Sequence, residues 1–424
     1  MDPFELLAPE LRLRILVHLR SPRRISQLMQ ASPAMLQQYC ASRLYIKRRI
    51  MARDMDDEMV QDAVAILQFP SWEFSDAYLS TAHDHMALWA NQQLPNPLKN
   101  HDKVLLGELD QLHSRLMLFI EDYLTKATAP NQDHLWFKGE KICSRFDESD
   151  LTNRERRRIL RAFLRYELIC KDGYTRGLEY SRGVYNAQFT ADERMIQKEF
   201  SPLYCKTKDD YEAKRLEAEA LSCVHEYLRS LYGSIFAQWT ESWLPDIPAG
   251  SFCSSPRGLI YPDNVYFDGD VYAADMGLIS TPEVETAAFF GFDVAAAFLR
   301  LFFRGRRVHP CDLDEWYQDL NNSAWITYWA ISRIGIGRWG GCSLGDTVIC
   351  PTVRQRADFI SGQRVLIYRQ RAWVFFENSR FYPSSRAEPH LPTDDEVKKY
   401  YWTCKDGGEK TGDYLTRLYS RSLQ

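Results

Sequence analysis

Leu6-Leu7-Ala8-Pro9-Glu10-Leu11 runs into Ile15-Leu16 and Leu19, and two Ser-Pro steps, Ser21-Pro22 and Ser32-Pro33, come close behind. Proline is accepted at the first position of a helix, where its missing N–H would have had no partner. A serine just before it can cap the free amides of the first turn. Three short helices are therefore expected over about the first 45 residues, each opened by a proline. Leu11, Ile15 and Leu19 recur at steps of four with Leu16 beside them, which makes one apolar stripe. Arg12, Arg14 and Arg20 lie largely off it. Ile25, Leu28 and Met29 are the apolar positions of the second segment, and Met35, Leu36 and Tyr39 those of the third.

This pattern resembles the F-box, the helical docking module of ubiquitin-ligase substrate receptors. Leu7, Glu10, Leu11, Ile15, Leu16 and Leu19 fall on the family's Leu-Pro-x-Glu-Leu/Ile opening and its subsequent Ile-Leu and Leu positions, and Ile25 and Leu28 on the later step. The family proline position holds Ala8, with the proline displaced to Pro9, and Ala31-Ser32-Pro33 stands where the family has Val-Cys-Arg. The resemblance implies docking onto a Skp-type adaptor that tethers a cullin ligase. Leu7, Pro9, Leu11, Ile15, Leu16 and Leu19 would form the contact, supported by Ile25 and Leu28. A unit of this size is too small to bury all of its apolar surface on itself. Each of those leucines and isoleucines contributes about 1.5–3 kcal/mol when fully buried, so the uncovered part needs either the next domain or a partner.

The rest of the chain reads as helix with minor β. Lys103 to Lys126 repeats apolar residues at three- and four-residue steps, and Gln92 to Asp102 reads as a loop. Thr152-Asn153-Arg154-Glu155 is a capping-box sequence, opening a helix expected to end near Cys170, with an irregular stretch after it. A long helix is expected from Asp209 to Gln238. Two hairpins are expected, one around Asp268-Gly269-Asp270 and one pairing Val365–Tyr368 with Trp373–Phe376. Thr152–Leu168 together with Glu217–Leu228 is similar to a segment pattern of large fungal F-box-like proteins, which extends the resemblance over about half the chain. The fold class expected is mainly α: an F-box-like module over 1–50, then a large helical substrate-recognition domain over 51–424 with minor β-hairpins.

Composition narrows the function. The 424 residues carry a net charge of −4 and are 45% hydrophobic and 26% charged, as in an ordinary globular protein. That balance gives no overall attraction to nucleic acid or anionic membrane. The longest apolar stretch, Ala287 to Phe303, is broken by Asp293 and Arg300 and is expected to be a buried helix rather than a span. The ten cysteines include no Cys-x-x-Cys, which fits reduced thiols in the cytoplasm or nucleus.

Other constellations have plain explanations. Gly335-Ile336-Gly337-Arg338-Trp339-Gly340 has dinucleotide-type spacing, but Cys342-Ser343-Leu344-Gly345-Asp346 just beyond it is poor helix material. His83-Asp84-His85 and Cys223/His225 are spaced by two, the wrong interval for shared chemistry on a helix. The Arg154–Arg165 cluster is expected to be a solvated face paired with acids, and the histidines of 83–85 to lie on the surface. No cofactor, metal or catalytic residue is expected. The function expected is a substrate receptor of a Skp–cullin–F-box ligase presenting a protein substrate, with a non-catalytic helical scaffold as the alternative.

Overall fold

The computed structural model describes residues 2–19, 21–70, 76–100, 102–128, 146, 148–181, 208–239, 287–303, 365 and 368–377. Of these, 82% are helical and none lies in a strand, so the fold is mainly α. The first expected hairpin, at Val265–Ala273, lies outside the described residues, as does Gly335–Gly340. The second is not a hairpin where it is described: Tyr368–Gln370 is helical and Arg371–Phe375 a turn. There Ala372 adopts a left-handed φ of 55°, while Trp373 N–H donates to the Tyr368 carbonyl and Ala372 N–H to that of Arg369. That paired bond pattern is the Schellman end of a helix, which consumes the amides a strand pairing would need.

The helices in order are α1 Pro9–His18, α2 Pro22–Ala31, α3 Pro33–Asp54, α4 Asp57–Leu67, α5 Asp76–Ala90, α6 Pro97–Asn100, α7 Lys103–Ala127, α8 Asn153–Ser181, α9 Lys208–Trp239 and α10 Gly291–Phe303; α3 runs on beyond the short helix expected there, and α6 is one helical turn inside the stretch expected to be a loop. The capping box forms as expected, Thr152 N–H donating to Glu155 Oε2 at 2.9 Å and Glu155 N–H to Thr152 Oγ1 at 3.2 Å. Helix α8 does not stop near Cys170 but continues through Gly173 to Ser181. A glycine inside a helix costs only about 1 kcal/mol against alanine, and Lys171 just before it is held by Asp293 at 2.6 Å. Among the described residues, no helix is long and apolar enough to cross a membrane.

The chain divides into two compact units, Met1–Glu121 with Phe146–Leu168, and Asp122–Arg145 with Ile169–Gln424. Helix α3 passes through position 50 to end at Asp54, and the first unit holds α1–α3 together with α4 and α5.

Arginines bind α8 into that first unit. Arg156 donates to Glu148 Oε2 at 2.8 Å and to its carbonyl at 2.7 Å, and approaches Asp54 at 3.4 Å. Arg161 bridges Asp56 and Glu58 at 2.6 and 2.7 Å, and Arg165 meets Asp62 at 3.4 Å. The expected solvated face is thus corrected: Arg156 and Arg165 are buried, because the acids they need lie on α3, α4 and the short 3₁₀ turn Glu148–Asp150. Burial by itself would push the Asp54 carboxyl up; His113, Arg156 and Arg53 outweigh it and hold it below its usual range. For Glu148 the burial wins over Arg156 and its carboxyl rises.

Candidate docking surface

The three N-terminal helices close a small aliphatic core of Leu16, Ile25, Met35 and Ile46, against which Phe4, Leu13, Ile15, Val17, Leu19, Leu28, Met29, Tyr39 and Ile50 pack. Prolines stand at the first turns of all three helices. Of the two expected serine caps only one forms. Ser32 Oγ accepts from Met35 N–H at 3.1 Å, whereas Ser21 is buried and makes no side-chain cap.

Asp2 completes this corner. Its Oδ2 accepts from Ser32 Oγ at 2.6 Å and from Ala34 N–H at 3.1 Å, and its Oδ1 from Phe4 N–H at 2.9 Å. A carboxylate at a helix N-terminus also meets the favourable end of the helix dipole. The bond from Ser32, then that from Phe4, hold the Asp2 carboxyl below its usual range. The segment before α1 is thereby fastened to the start of α3, 30 residues away. Nothing local in the sequence signals this contact, because Asp2 and Ser32 lie 30 residues apart.

The eight candidate docking residues separate into three sets. Leu16 is fully buried, at 0% exposure, and Ile25 is buried beside it, so both build the module's core. Pro9 and Leu11 are exposed, Leu11 at 46%, and Leu6 just ahead of them at 82%. Leu7, Ile15, Leu19 and Leu28 are half-buried. The stripe on α1 therefore grades from Leu16 in the core, through half-buried Ile15 and Leu19, to Leu11 at the surface. Leu11 is its uncovered edge, and Ile15, one turn on along α1, is half-covered by the core it packs against.

Other candidate chemistry resolves into structure. His85 is not on the surface: it is buried, its Nε2 lies 2.9 Å from the Ala65 carbonyl, and its ring stands edge-on to Phe69 at 5.6 Å. Cys223 faces the core, as expected, and burial followed by Glu219 pushes its thiol well up. His225 stacks on Phe289 with centroids 4.8 Å apart, and burial, then Arg229 and Arg369, pull its imidazole down to about 3. A thiol pushed up and an imidazole pulled down, two residues apart on one helix, are the reverse of an activated pair. Around them Glu219 takes a two-pronged bond from Arg369 at 2.9 and 2.9 Å, and Tyr227 and Lys126 share Asp122 at 2.8 and 2.5 Å. Among the described residues no group of His, Cys, Asp and Glu is placed to hold a metal ion.

Compared with family models, curated proteins and solved structures, the chain finds no match.

Proposed function

We propose that this chain is a substrate receptor of a Skp–cullin–F-box ubiquitin ligase, working in the cytoplasm or nucleus. The observation that carries the reading is the uncovered aliphatic edge formed by α1 and the residues just before it. Leu6 and Leu11 stand open, with Leu7, Ile15 and Leu19 half-covered, above a core that Leu16, Ile25, Met35 and Ile46 already complete. The module thus keeps its shape while offering aliphatic surface, the arrangement a helix-groove contact needs. Leu7, Pro9, Leu11, Ile15, Leu19 and Leu28 would touch the Skp-type adaptor, and Leu16 and Ile25 would position them. The remainder would hold a protein substrate for ubiquitin transfer by the cullin-bound machinery, which is catalysis by proximity, with no chemistry of its own.

The alternative, a helical scaffold, draws on different contacts. The end of α3 is tied into its unit by the Lys47–Asp110 ion pair and by Arg157 donating to the Arg53 carbonyl at 3.0 Å. Co-purification with a Skp-type adaptor separates the two. Leu11→Asp, at an exposed position, should abolish capture and leave helicity unchanged, whereas capture that survives Leu11→Asp and Leu7→Asp together would favour the scaffold.

A further inference from the structure

Leu6 stands 82% exposed on the short stretch between Asp2 and α1, so its side chain gains little by packing within its own chain. Fixing the backbone of such a residue costs conformational entropy that burial of its own side chain does not offset. The stretch is nevertheless held. Glu5 N–H donates to the Asp2 carbonyl at 3.1 Å and Leu7 N–H to the Phe4 carbonyl at 3.2 Å, which makes residues 2–7 two overlapping turns. The Ala8 carbonyl then accepts from Leu11 and Arg12 N–H at 3.0 and 3.1 Å, so α1 begins where the turns end.

At their far end the turns have two holds. Phe4 packs on the module's aliphatic core. Asp2 takes its bonds from Ser32 Oγ and Ala34 N–H, and it closes the first turn by accepting from Phe4 N–H. One carboxylate thus joins the arm to the start of α3. Ser32 serves two partners at once, donating to Asp2 and accepting from Met35 N–H. Loss of Asp2 would therefore leave the cap of α3 in place. The tether can be cut without touching the core of Leu16, Ile25, Met35 and Ile46.

We infer that Asp2 is a positioning residue of the docking edge: its three bonds hold the 2–7 arm so that Leu6 and Leu7 meet the adaptor already in place. The inference rests on the receptor reading above and adds to it a residue that touches no partner. Leu11 supplies contact area, whereas Asp2 supplies pre-organisation, because the arm is ordered before encounter rather than during it. An arm held ready only part of the time lowers the apparent affinity by that fraction.

Binding kinetics of the full chain with a purified Skp-type adaptor test it, together with amide hydrogen exchange of the same chains alone. Any affinity tag is placed at the carboxyl end, away from the arm. Asp2→Ala should speed exchange of the Glu5 and Leu7 amides about tenfold and weaken adaptor binding about tenfold. The amides of Leu16 and Ile25 should keep their protection. Asp2→Asn, which retains one side-chain oxygen as an acceptor, should recover part of both losses. Leu11→Asp separates contact from positioning: capture should be lost while exchange of the arm is unchanged. Adaptor binding by Asp2→Ala equal to that of the unaltered chain, or arm exchange unmoved by the substitution, would overturn the inference and leave the receptor reading standing. An unaltered chain that binds no adaptor would overturn the receptor reading, and the positioning role with it.

Discussion

At the amino terminus Leu16, Ile25, Met35 and Ile46 close a core with no charged group among them; around α8, Arg156 and Arg165 reach inward to Glu148, Asp54 and Asp62. The first interior is indifferent to orientation, because aliphatic contact has no direction, and it leaves similar side chains uncovered at Leu6 and Leu11. The second depends on matched donors and acceptors and leaves little room for error. Buried ion pairs of this kind do not necessarily add net stability, yet removing one partner strands a charge. The difference teaches where adhesion and where architecture reside: the open apolar edge is free to bind, and the arginines are spoken for.

That contrast can be broken by mutation. Arg156→Ala should cost about 3–5 kcal/mol in denaturant unfolding, since it abandons Glu148 and Asp54 in the interior. Leu16→Ala should cost about 2–5 kcal/mol through the cavity it leaves, and Leu11→Asp little. An Arg156→Ala chain as stable as the unaltered protein would erase the distinction.

Acid should sharpen it. The His225 imidazole is held near 3 in the folded chain against an ordinary 6.5. Below pH 6.5 the unfolded chain takes up that proton and the folded one does not. The stability His225 contributes is therefore complete above pH 6.5 and drains away toward pH 3, at up to about 1.4 kcal/mol per pH unit. Asp2, held low, acts in the same direction but only below the ordinary carboxyl range, where its bonds to Ser32 and Ala34 are lost as it protonates. Unfolding monitored between pH 7 and pH 4.5 should show the loss, and His225→Gln should flatten it; an equal slope in both chains would refute the assignment. The smallest effect is expected at the end of α5, where Gln92 holds a φ of 56° in a Schellman turn, with Gln93 N–H on the Leu88 carbonyl. Gln92→Gly should raise stability by about 0.5–1 kcal/mol.

Much of the helical layout was legible because its signals are local. The Thr152–Glu155 box specifies its own bonds, and the apolar steps of Lys103–Ala127 and Lys208–Trp239 mark helices that match the expected ranges within a residue or so. What escaped reading depends on distant partners. Gly173 looked like an ending because nothing nearby shows Lys171 meeting Asp293. The arginines of α8 looked solvated, although Glu58 and Asp62 on α4 are spaced by four just as Arg161 and Arg165 are; those two matching pairs were the available clue. His85 was misplaced because a buried histidine needs only one carbonyl, here that of Ala65. The docking stripe was legible as a stripe, but its division into Leu16 inside and Leu11 outside needed the packing of α2 and α3.

Amide hydrogen exchange of the full chain, with and without a purified Skp-type adaptor, bears most directly on the proposed role. Protection should increase over Leu7–Leu19 when the adaptor is added, and the increase should vanish in Leu11→Asp. Identical exchange over that segment with and without adaptor would contradict the receptor reading.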